Sequence, residues 1–279
     1  EELLGGLAQP AAPLGGRAPE AESRAAEDVF FDAYVAEESS ARMYTSAMAH
    51  DASRAGRFNH ALQDAAEVGD ISKLQQSLLQ GGSSLNQADN DGITPMHLSA
   101  KHGHLDCLRY LISSAGSVNA ADESGLTPLH LTAQQGHTAG CEALLGAGAV
   151  VDASGSAKAR TPLHLSAAGG QREACRLLLH CRAAAGRQDE DGESALHSAA
   201  RFGDRELCEL LLSFGASAGC TDRDGWAPLH EAARWGDGEL VESLLRRGAD
   251  PAARSHDGES ALHVVPGGYA ELEVVEVLV

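Results

Sequence analysis

The sequence predicts an all-α-dominated repeat solenoid of stacked helix-turn-helix units. One phrase recurs six times, as Thr94-Pro-Met-His97, Thr127-Pro-Leu-His130, Thr161-Pro-Leu-His164, Ser194-Ala-Leu-His197, Ala227-Pro-Leu-His230 and Ser260-Ala-Leu-His263. The steps are 33, 34, 33, 33 and 33 residues, a period that marks stacked repeats. Glycines and paired leucines recur around the phrase. A stack of this kind presents a surface and rarely carries chemistry.

The stretch Asp122–Ala149 shows each element in order. Gly125 supplies the positive φ of a tight turn. Thr127 is an N-cap, and Pro128 suits the first helical position, where its missing N–H would go unpaired anyway. Leu129 and Ala133 give a short first helix its apolar face, and Gly136 ends it. Cys141, Leu144 and Leu145 share one face of a second helix. Gly148 follows, at a position that favours a left-handed residue.

These features resemble the ankyrin repeat. The turn glycine, the Thr-Pro-Leu-His phrase, the glycine after helix one, the paired leucines and the Gly-Ala ending all match, over about residues 58–279. The resemblance implies β-hairpin fingers, two antiparallel helices per unit and a concave face. It also implies that the repeated histidine hydrogen-bonds within and between units. Units are expected near 58–89, 90–122, 123–155, 156–189, 190–222, 223–255 and, in part, 256–279. The first, around Ala61–Gly69, is a degenerate cap, with Gln75, Gln76 and Gln80 suited to a wet end. Two departures predict irregularity. Ala159 and Arg182 stand where other units have glycine. Pro266-Gly267-Gly268 interrupts the last first helix. The chain begins at Glu1 and stops inside a second helix, as a fragment of a longer protein would.

Composition narrows function. A net charge of −19 argues against nucleic acid and anionic membranes as partners. No apolar run is long enough for a transmembrane helix, so direct membrane insertion is not expected. Cys141, Cys175 and Cys208 recur at one position of helix two and read as small core residues in separate layers. Together with Cys107, Cys181 and Cys220 they suggest a reducing, cytoplasmic compartment. No cofactor, metal or catalytic group is expected, and the chain reads as no enzyme. His102-Gly-His104 lacks a third ligand. Asp89–Gly92, Asp189–Gly192 and Asp222–Gly225 imitate calcium loops, but each lacks an acid at the first ligand position (Gln87, Arg187 and Cys220 stand there) and only the third has the distal Glu, at Glu231, so they read as hairpin turns.

What remains is where the copies differ. In this family the hairpin tips and helix one line the palm that holds protein partners. The outer ends of helix one read Lys101-His102, Gln134-Gln135, Ala168-Gly169, Arg201-Phe202 and Arg234-Trp235. Arg201, Phe202, Arg223, Trp226, Glu231, Arg234 and Trp235 are the candidate partner-binding residues. Aromatics with arginine are typical of hot spots, and an acidic or aromatic peptide is the expected ligand of a monomeric scaffold or adaptor. The plainer alternative is that Trp226 and Trp235 pack on each other and on hairpin stems.

Residues 1–26 are rich in Ala, Gly, Pro and Glu and read as disordered. Residues 27–57 carry aromatics at helical spacing and read as a linker or a helix packed on the first repeat. Within them, Phe30-Phe31-Asp32-Ala33 resembles the FFAT motif, which binds receptors at membrane contact sites and would imply a tether. A regulatory or targeting segment of a larger enzyme, or a ubiquitin-ligase substrate adaptor, is the other alternative.

Overall fold

A computed structural model describes residues 60–79, 84–155, 158–265 and 269–279. The segments 1–26 and 27–57, with Phe30–Ala33, lie outside them. Phe58–Val279 form one compact unit. Its helices come in pairs. The first helices are α1 (His60–Val68), α3 (Pro95–Lys101), α5 (Pro128–Gln134), α7 (Pro162–Ala168), α9 (Ala195–Arg201) and α11 (Pro228–Trp235). The second helices are α2 (Ile71–Leu79), α4 (Leu105–Ser113), α6 (Thr138–Gly146), α8 (Arg172–His180), α10 (Arg205–Ser213) and α12 (Gly238–Arg246). A 3-10 turn, Ala261–His263, and α13 (Tyr269–Leu278) complete the order. Each first helix packs against its own second helix and against the first helices on either side.

From α3 onward the recurrent phrase starts each first helix, including the 3-10 turn of the last unit. The backbone N–H of its first residue donates to the histidine Nδ1, at 3.1 Å in Thr94–His97, 3.0 Å in Thr127–His130 and 3.1 Å in Thr161–His164. Nδ1 is therefore an acceptor, and the ring proton sits on Nε2. That proton is donated to the carbonyl just before the next unit's cap. The acceptors are Leu126 (3.1 Å), Arg160 (3.1 Å), Glu193 (3.2 Å), Trp226 (3.2 Å) and Glu259 (3.3 Å). Neighbouring units are thus fastened through one neutral tautomer. Ala227 lacks a hydroxyl, yet its N–H still bonds His230 Nδ1 at 3.0 Å.

Leucines at a fixed position of helix two form the core column: Leu111, Leu144, Leu178, Leu211 and Leu244, all fully buried. Burying a leucine contributes roughly 1.5–3 kcal/mol, so the column holds successive units together. The recurring Cys141, Cys175 and Cys208 are buried beside it. Burial pushes the Cys175 thiol up to about 12.

The fingers are simpler than hairpins. Among the described residues they show isolated bridges, Gly155 with Arg160, Gln188 with Ser194 and Arg254 with Ser260. Aspartates stabilise the turns instead. Asp89 Oδ1 accepts from the N–H of Asp91 and Ile93, and Asp222 Oδ1 accepts from Asp224 and Trp226. Each tip then bonds the next: the N–H groups of Glu123, Glu190, Arg223 and His256 donate to carbonyls of the preceding finger. The acids that imitate calcium ligands are used in this way.

At Ala159 and Arg182 the described backbone keeps the turn of the other units. Both adopt the left-handed conformation that glycine adopts elsewhere, at φ 54° and 67°, against 79° at Gly125 and 88° at Gly148. Ala115 does the same at φ 65°. Packing of the neighbouring units imposes the turn, and the side chain bears the strain. A left-handed L-residue costs roughly 1–2 kcal/mol, and glycine's extra freedom when unfolded offsets part of that. Arg182→Gly and Ala159→Gly are each expected to stabilise by about 0.5–1 kcal/mol. Urea midpoints that fall instead would show that these side chains make contacts worth more than the strain.

The last unit departs as expected. Its first helix shrinks to the 3-10 turn, and Leu262 is 45% exposed. At the other end, Gln76 is exposed and Gln75 half-buried, while Gln80 lies outside the described residues. The cap also shows apolar surface, with Val68 72% and Leu79 84% exposed.

Candidate functional site

The seven candidate residues divide into two layers. Arg201 and Glu231 are turned inward. Glu231, on α11, is 5% exposed. Its Oε1 accepts from Arg201 Nε at 3.0 Å. Arg201 Nη2 also bonds Glu193. Arg160 continues the series, pairing with Asp189 at 3.2 Å and with Glu193 at 3.8 Å. A ladder of two guanidinium groups and three carboxylates therefore links consecutive units. Glu193 and Arg160 are not marked by the sequence, and Asp189 reads there only as part of a hairpin turn. Their pairing depends on which side chains of adjacent units face each other.

The outer layer is accessible. Arg223 and Arg234 are exposed, and neither forms an ion pair among the described residues. Trp235 ends α11 and is 41% exposed. Phe202 and Trp226 are half-buried. The Trp226 ring lies against His230, with centroids 5.5 Å apart. Trp226 precedes α11 and Trp235 ends it. An eight-residue helix separates them by about 12 Å, so they are not a stacked pair. The patch is two spots on one unit.

The remaining tempting groups have scaffold partners. His104 Nε2 bonds the Glu67 carbonyl at 2.7 Å, and His137 Nε2 bonds that of Lys101 at 3.2 Å. Among the described residues, no group of three His, Cys, Asp or Glu is placed to hold a metal ion. All six cysteines are free, with Cys181 exposed. Asn86 and Asn119 brace the next finger, accepting from Ser117 N at 2.7 Å and Val150 N at 2.9 Å. No described helix is long and apolar enough to cross a membrane.

Comparison with known proteins agrees with this architecture. The family model for ankyrin repeats (3 copies) matches residues 62–155, 163–255 and 196–279. The human ASB11 ankyrin repeat domain is similar at 25% identity, with a TM-score of 0.70, covering 78% of this chain and 98% of that one. The ankyrin repeat domain of Bcl-3, a member of the IkappaB protein family, is similar at 26% identity and a TM-score of 0.67, covering 79% and 98%. Ankyrin repeats are in general protein–protein interaction modules. With its capped helix pairs, histidine fasteners and matching repeats, the chain belongs to the ankyrin-repeat family.

Proposed function

We propose that this chain is a cytoplasmic interaction scaffold or adaptor that holds a protein partner on the first-helix face of units 190–255. The observation that supports this most is the Arg234–Trp235 pair. Trp235 keeps 41% of its surface in water, although burying an indole is strongly favourable. Beside it stands an arginine without an internal counter-ion, in a chain of net charge −19. A guanidinium fork suits a carboxylate, and an indole suits an aromatic or aliphatic side chain. Both favour an acidic or aromatic peptide at this spot. Free thiols support the reducing compartment.

Trp235→Ala and Arg234→Ala are expected to leave stability within about 0.5 kcal/mol, since both are exposed. Each is expected to weaken partner capture by roughly 2 kcal/mol, about thirtyfold. Affinity purification with the full chain, followed by titration of the partner recovered, measures this. Unchanged affinity in both variants would remove the patch from consideration.

A further inference from the structure

We propose that Glu231 anchors a second subsite on the same face, one that accepts a lysine or arginine side chain from the protein partner. The inference rests on the reading of this face as the partner surface. It starts from Glu231 Oε2, which is buried and has no hydrogen-bond partner. A buried carboxylate oxygen without a donor is costly, and such atoms are rare in folded proteins. Its neighbourhood explains the deficit. A guanidinium fork satisfies both oxygens of one carboxylate when it grips it squarely. Here the Arg201 fork is divided, with Nε on Glu231 and Nη2 on Glu193.

The ion pairs point the same way. Arg201 shares its guanidinium between Glu193 and Glu231, so Glu231 does not have a whole fork to itself. A further cation suits its second oxygen. The whole chain, at −19, attracts such a cation. Arg201 supplies the access. Its side chain is 19% exposed and is paired with Glu231, at 6%. By turning wholly onto Glu193 it uncovers the Glu231 carboxylate for the incoming group. Trp226 forms the apolar wall through its contact with His230, the residue before Glu231. A guanidinium or ammonium beside an indole gains further attraction. The partner segment then carries a basic residue for Glu231, one helical turn from the carboxylate or aromatic group received at Arg234.

The test is an NMR titration of the full chain with arginine amide. The reporters are the Trp226 indole N–H and the Arg201 Nε–H. Both signals are expected to move in the wild type. In Glu231→Gln, which keeps an acceptor for Arg201, the apparent Kd is expected to rise at least about tenfold. Asp257→Asn removes an exposed acid elsewhere and is expected to leave the titration unchanged. A parallel titration of the wild type with N-acetylaspartate amide needs no variant. It is expected to leave the Arg201 signal in place. If arginine amide moves neither signal, or moves them equally in Glu231→Gln, the subsite is overturned. It is also overturned if the aspartate compound alone moves the Arg201 signal. These results are independent of partner capture at Trp235, so failure of one reading is distinguishable from failure of the other.

Discussion

Lowering the pH from 6.5 to about 4 is expected to destabilise this chain by several kcal/mol, most of it above about pH 5 to 4.5, where ordinary carboxylates are still ionised. The cause is the histidine fastener. Burial holds His97, His164 and His197 below the usual imidazole range, and His130 down at about 4. In the folded state each Nδ1 faces a backbone N–H and cannot take a proton without losing that bond. In the unfolded chain the same rings protonate near 6.5. Above that pH both states are neutral and the fasteners contribute fully. As pH falls, the unfolded chain binds protons that the folded chain refuses, so stability declines until the folded pKa is reached. For His130 alone the loss is about 3 kcal/mol, taking roughly 1.4 kcal/mol per unit. Asp70 and Asp191 lie in another window. Lys73 and Lys158 hold them below the usual carboxylate value of 3.8, so they matter only in stronger acid. Urea midpoints at pH 7, 5.5 and 4.5 check this. A flat profile across that range would contradict the buried neutral tautomer.

Arg201→Met is expected to cost about 3–5 kcal/mol, as removal of one partner from a buried ion pair does. It leaves Glu231 buried with no counter-ion, while Glu193 keeps Arg160. The same position in two earlier units holds Leu131 and Leu165, at 5% and 8% exposed. The backbone thus accepts leucine there. The double variant Arg201→Met with Glu231→Leu is therefore expected to recover most of the loss. Denaturant unfolding of the two variants measures both effects. A single variant within 1 kcal/mol of wild type, on the scale of exposed pairs, would show that the ladder is solvated.

Much of the fold was legible because it is local and repeated. Thr127, Pro128 and Gly136 mark the ends of a helix through the conformations they allow, and one reading serves six copies. The reduced first helix of the last unit followed from Pro266. The turns at Ala159 and Arg182 keep the left-handed conformation that their side chains resist. Sequence shows which residue resists a left-handed turn, but not that packing on either side imposes it. The candidate site was legible by residue type only. Arg201 and Arg234 occupy equivalent positions one unit apart, and nothing local tells them apart.

The sequence by itself determined the repeat, its helix ends, the aspartate turns and the residues by which the copies differ. Each of these depends on bonds between residues a few positions apart. Only the tertiary structure decided which of the differing residues remain available. Arg201 meets Glu231 from the next unit and is neutralised, whereas Arg234 and Trp235 face water. Charge pairing across stacked units depends on side chains about 30 residues apart meeting in space, and the period of the repeat does not specify it.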